Sequence, residues 1–177
     1  SASVTLFDPT PLTVTAAVNS DYNGADISCN GFADGAVLAT PAGGTGTYTY
    51  IWYSDAALSL PIGQTTPSAS GLLAGTYWVE VTDMNGCPAS TSVLVTEPPA
   101  LTLSLAITSD YFGEDVSCNG ASDGEITATV GGGLGTYYYN WYTDPAYSVP
   151  LGQFTSVAIN VPAGDYYLRV TDINGCE

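Results

Sequence analysis

Four cysteines, at positions 29, 87, 118 and 176, are the residues of this 177-residue chain best equipped for chemistry. Cys29 and Cys118 lie 89 positions apart, and so do Cys87 and Cys176. Thiols that recur at fixed places suit oxidation to disulfides better than metal ligation, because the chain has no His and two Cys are too few soft ligands for zinc. Four cysteines allow three connectivities. The repetition favours Cys29–Cys87 and Cys118–Cys176, with Cys29 on a short strand and Cys87 at the start of the last strand of its unit. Each bridge would close a loop of 58 residues, which adds about 4 kcal/mol in the chain-entropy model. Free buried thiols are the plainer alternative.

Oxygen donors repeat in the same way. Asp26, Asp34, Asp83 and Asn85 recur as Asp115, Asp123, Asp172 and Asn174. If Cys29 and Cys87 are joined, Asp83 and Asn85 approach Asp26 and Asp34, and the resulting corner would suit a hard cation, with Ca²⁺ as the one candidate cofactor. Asp83-Met84-Asn85-Gly86 opens like a calcium loop, but no Glu closes it at the twelfth position, so it is not an EF-hand. Turn chemistry competes with this reading and is favoured, since Asp-Gly and Asn-Gly pairs are what tight turns require. A third set is aromatic. Tyr53, Trp78, Tyr142, Tyr147 and Tyr167 fall on outward faces, where they could form glycan platforms or protein contacts. Strand propensity on a half-buried sheet explains them equally simply, and self-association ranks ahead of sugar binding.

Charge excludes much else. One Lys or Arg stands against 17 Asp and Glu, for a formal net charge of −16. Such a surface can neutralise neither nucleic-acid phosphates nor an anionic membrane. Without His there is no Ser-His-Asp triad or imidazole base, and the single cation, Arg169, leaves no Schiff-base lysine. Paired carboxylates could serve a glycosidase, but each has a loop explanation and no cleft is suggested, so the chain reads as non-catalytic. No run of eighteen apolar residues occurs, so no membrane insertion is expected in this segment. Charged residues make up only 10% of the chain, and trypsin-like proteases would find one site. The expected setting is extracellular.

The elements that position these groups come from a gapless repeat. Ser20 to Gly35, "SDYNGADISCNGFADG", returns as "SDYFGEDVSCNGASDG" from Ser109 to Gly124, and "VTDMNGC" returns as "VTDINGC". Two such units in tandem mark a repeat array. Short Val/Thr/Tyr runs between turn clusters predict an all-β fold of tandem Ig-like β-sandwich repeats, with about seven strands in each 89-residue unit. In "TYTYIWY", Tyr48, Tyr50 and Trp52 share a face that is unchanged in the second copy, whereas Thr49 and Ile51 drift, so the first face points inward. In "TYWVEVTD", Tyr77, Val79 and Val81 point inward, and the exchange of Glu80 for Arg169 marks the outer side. Cys87 falls at a turn, so the antibody core disulfide is not the template.

"SCNGFADGAVLATPAGGTGTYTYIWY", followed by "LLAGTYWVEVTDMNGC" and "TEPPALT", resembles the SprB repeat, and both copies match. That family occurs in long surface proteins of gliding bacteria of the Bacteroidetes group. The resemblance implies secretion, tandem repetition and an adhesive or scaffolding role at the cell surface, and it carries over no catalytic residue. The expected function is a structural or adhesive repeat of a long surface fibre. The alternative is a glycan-binding accessory module. Partners would be neighbouring copies of itself, with glycans or surfaces as targets.

The 89-residue offset holds from the first residues: Ser1, Ser3, Val4, Pro9 and Leu12 match Ser90, Ser92, Val93, Pro98 and Leu101. The expected division is therefore residues 1–8 as the last strand of a preceding repeat, 9–97 as repeat 1, and 98–177 as repeat 2 without its last strand. An open edge and an uncovered groove would follow, which residues 1–8 of a neighbour could fill. A covalent array and separate subunits joined by donor-strand exchange both fit, and the family's long tandem chains favour the array.

Overall fold

The computed structural model describes residues 2–177. All regular structure among them is extended, and it falls into one compact unit ending at Glu97 and a second spanning Pro98–Glu177. The first unit contains β1 (Thr13–Val18), β2 (Gly35–Ala42), β3 (Thr49–Tyr53), β4 (Ser68–Leu72), β5 (Gly75–Thr82) and β6 (Pro88–Val95). The second contains β7 (Thr102–Ile107), β8 (Ser122–Gly131), β9 (Tyr138–Tyr142), β10 (Val157–Pro162) and β11 (Tyr167–Thr171).

In the first unit the antiparallel sheets are β1-β2-β4 and β3-β5-β6; in the second they are β7-β8-β10 and β9-β11. Sharing strands one, two and four with one sheet, and three, five and six with the other, is the Ig-like arrangement. The units hold six and five strands, fewer than the seven expected. One reason lies between β3 and β4. There the Asp55 carboxylate accepts N–H bonds from Ser59 and Leu60, at 3.0 and 2.7 Å, and winds the segment into a tight loop where another strand could have run. Asp144 does the same for Ser148 and Val149.

Each unit is centred on a tryptophan. Trp52 is fully buried with Val37, Ala39, Ala69, Val79 and Val81, and its indole N–H donates to the Thr66 carbonyl at 3.0 Å. Trp141 repeats this with Ala128, Ala158, Leu168 and Val170, donating to Thr155 at 2.9 Å. Packing thus buries the large ring while the one polar atom keeps a partner. The inward faces are those that alternation predicts, with Thr49 and Ile51 outside and Val79 and Val81 inside. Tyr53 departs from the expectation of an exposed aromatic. It is buried, it stands opposite Trp78 in the β3–β5 register, and its hydroxyl donates to Glu80.

Candidate functional site

The recurring carboxylates hold loops at the two ends of each sandwich. At the end where β1 begins, Asp83 follows β5 and accepts the N–H groups of Asn85 and Cys87, at 3.0 and 2.9 Å, through one oxygen. Its other oxygen takes the Thr45 N–H at 2.9 Å. Asp172 is likewise buried and accepts from Asn174, Cys176 and Leu134. The Cys87 N–H, with those of Thr45 and Asn85, holds the Asp83 carboxyl below the usual carboxylate range against the opposing effect of desolvation.

The other end of the first sandwich carries different partners. Asp34 accepts the Ser28 N–H at 3.1 Å and the Ser28 hydroxyl. Asp26 accepts the N–H and hydroxyl of Thr96, at 2.8 and 2.7 Å, and Glu97 accepts the Gly31 N–H at 2.6 Å. In the second unit Asp123 accepts the Ser117 N–H at 3.0 Å, and the Ser117 side chain leads the effects that lower its pKa.

This placement corrects two expectations. Cys87 immediately precedes β6, whereas the loop bearing Cys29 is tied to Thr96 and Glu97, which follow it. Eight extended residues separate these ends by about 25 Å, far beyond the roughly 7 Å between Cα atoms that a disulfide tolerates. A Cys29–Cys87 bridge is therefore excluded. Cys87 and Cys118 are free and exposed. Cys29 also lies in a bend and not on a strand. The calcium corner fails for the same reason: Asp26 and Asp34 sit at one end, Asp83 and Asn85 at the other. The carboxylate oxygens of Asp26, Asp34 and Asp83 are already aimed at protein donors. The sets do not fit a shared cation, and no cluster of three acidic or thiol groups suited to a metal occurs among the described residues.

Tyr167 stands opposite Tyr142 in the β9–β11 register, as Trp78 stands opposite Tyr53 in the first unit. Trp78, Tyr142 and Tyr167 are half-buried. Tyr142 and Tyr147 meet edge to face with ring centroids 5.3 Å apart, and Arg169 covers the Tyr147 ring at 5.1 Å while its Nε lies 3.4 Å from Glu177. The first unit has Leu58 and Glu80 at the positions of Tyr147 and Arg169, so this cluster is not repeated.

One surface escaped the sequence reading. Leu103, Leu105 and Ile107 on β7 are 42%, 43% and 56% exposed. Their counterparts Val14, Ala16 and Val18 on β1 are half-buried against the first core. The alternation Leu101, Leu103, Leu105, Ile107 was the available signal, but it marks an inward face without saying what covers it.

No curated protein matches this sequence. Among solved structures, the chain is similar to the three N-terminal domains of the bacteriophage RB49 Highly Immunogenic Outer Capsid protein (Hoc), with a TM-score of 0.48 and 20% identity. That similarity covers 91% of this chain and 54% of the Hoc chain, so this chain spans about half of it. The family model described as SprB repeat matches at residues 22–57 and 113–146, once in each unit.

Proposed function

We propose that this chain is a structural and adhesive repeat unit of a long secreted surface fibre, without catalytic activity, working beside neighbouring copies of itself. The observation that carries this reading is the construction of the same sandwich twice, with the recurring acidic residues used to hold loops. Asp34, Asp55, Asp83 and their counterparts secure turns, and the buried tryptophans fill cores. SprB repeats are modules of cell-surface proteins, which supports an extracellular location. A surface of net charge −16 stays soluble and disperses by self-repulsion outside the cell.

Electron microscopy of the native protein tests the proposal directly, with regular fibres built on this repeat as the expected result. A glycan array probed with the isolated chain supplies the counter-test. Saturable sugar binding that Trp78→Ala abolishes, in a native protein that forms no fibre, would overturn the structural reading in favour of a glycan-binding module.

A further inference from the structure

The outward face of the β9–β11 sheet is built unlike its counterpart in the first unit. Asn140 and Tyr142 of β9 stand opposite Arg169 and Tyr167 of β11, and Tyr138 lies on the same face two residues before Asn140. The Tyr147 ring meets Tyr142 edge to face and carries the Arg169 guanidinium. Where the second unit has Tyr138, Asn140, Tyr147 and Arg169, the first has Thr49, Ile51, Leu58 and Glu80. Side chains stand roughly perpendicular to a sheet, so the face is open whatever lies beside β11. The first unit shows this: β6 lies beside β5 there, and Ile51, the counterpart of Asn140, is still 40% exposed.

The tyrosine hydroxyls fall into two groups. Those of Tyr22, Tyr48, Tyr77, Tyr111, Tyr137 and Tyr166 donate to main-chain carbonyls and fasten loops, and that of Tyr53 donates to Glu80. Those of Tyr138, Tyr142, Tyr147 and Tyr167 have no protein partner among the described residues. Tyr138 is 54% exposed and Tyr147 40%. An exposed tyrosine offers an apolar ring and a hydroxyl that both donates and accepts, and it loses little conformational freedom on contact. The Asn140 amide adds donors and an acceptor between Tyr138 and Tyr142. A ligand that satisfies all of these presents apolar C–H faces and many hydroxyls together, which is the chemistry of a pyranose ring. From Tyr138 to Tyr142 the face runs about 13 Å, long enough for more than one ring.

Charge selects among glycans. The chain has a formal net charge of −16, and its one cation, Arg169, is stacked on Tyr147, so an acidic polysaccharide is repelled and a neutral one is not. A second copy of the chain is disfavoured on the same ground. We propose that the outward face of β9 and β11 binds a neutral polysaccharide, with pyranose rings stacked on Tyr138 and Tyr147 and their hydroxyls bonded by Asn140 and the free tyrosine hydroxyls. The matching face of the first unit does not bind, because Ile51 replaces the amide and Glu80 takes the Tyr53 hydroxyl.

Such binding is the adhesive half of the fibre reading and rests on it, but it is measured on the purified chain, so its failure leaves the microscopy of native fibres standing. Native gels cast with dextran, laminarin or mannan, each a neutral polysaccharide, should retard the chain in at least one case, and a gel cast with alginate, which is acidic, should not. Against the retarding polysaccharide, Tyr138→Ala, Tyr147→Ala and Asn140→Ile should each weaken binding by about fivefold or more, whereas Trp78→Ala should bind like the parent. Tyr138→Ala, at a mostly exposed side chain, should leave thermal unfolding unchanged. A chain retarded by no neutral polysaccharide, retardation by alginate as strong as by the neutral ones, binding that survives the Tyr138 and Tyr147 substitutions, or binding lost in Trp78→Ala would each overturn the proposal.

Discussion

Asp83 accepts the backbone N–H of Thr45 at 2.9 Å across 38 positions of chain, and so ties the β5–β6 turn to the loop between β2 and β3. The same carboxylate holds its own turn through Asn85 and Cys87, so one side chain satisfies three amides. Replacing it with Ala should lower the thermal midpoint by about 5 °C or more, whereas Asn, which retains one acceptor oxygen, should lower it less. Differential scanning calorimetry of the two variants checks the order. Because these oxygens face protein donors, EDTA should leave the midpoint where it is.

Acid should weaken the fold through particular residues. The Ser59 side chain lowers the Asp55 pKa, the Ser148 side chain lowers that of Asp144, and the Cys87 N–H leads for Asp83. A carboxyl whose folded pKa lies below its unfolded value contributes stability above about pH 4, and that contribution is lost as the pH falls through the folded pKa. Protonation also relieves the self-repulsion of a chain with net charge −16, so the informative quantity is a difference between variants. Urea midpoints measured from pH 7 to pH 2.5 should fall less steeply in Asp55→Asn and Asp144→Asn than in the parent. Equal slopes would mean that these bonds are not the source.

Trp52 fills the first core completely and also donates to Thr66. Trp52→Ala should cost about 3–5 kcal/mol by leaving a cavity, and Trp52→Phe should cost less while stranding the Thr66 carbonyl. Urea denaturation followed by circular dichroism reads both. Trp141→Ala should have the same effect in the second unit, where among the described residues β11 pairs with β9 alone.

Gly43 separates two costs that usually come together. Its φ is +75°, and a Cβ there would lie 2.2 Å from the Pro11 carbonyl oxygen. Gly63 has a φ of +77° but nothing within 4 Å of a Cβ. Gly63→Ala should therefore show backbone strain alone, about 1 kcal/mol. Gly43→Ala should lose substantially more, because the chain entering β1 must move away. Gly132→Ala, whose Cβ would meet the Ala100 oxygen at 1.9 Å, should behave like Gly43→Ala. Matching losses at Gly43 and Gly63 would show that the contact yields freely.

Much of the architecture could be read from residue order because strand periodicity and repetition are local properties. The alternation through Tyr48, Tyr50 and Trp52 predicted which face is buried, and the 89-residue offset predicted two sandwiches that share motifs with the SprB repeat. The distance between two positions inside a repeat is not local. Cys29 and Cys87 recur together, and repetition cannot tell adjacent ends from opposite ones; β6, extended over eight residues, puts them at opposite ends and separates Asp26 from Asp83 with them. Tyr53 is a smaller instance, placed outside by alternation but buried opposite Trp78 by the pairing of β3 with β5. The apolar face of β7 was equally hidden, since alternation marks Leu103, Leu105 and Ile107 as inward while only the folded chain shows that they stay 42%, 43% and 56% exposed. Side-chain direction follows from the two-residue period of each strand; what a side chain meets depends on segments brought together from as far as 70 positions away, as Thr96 is to Asp26, and only the folded chain decides that.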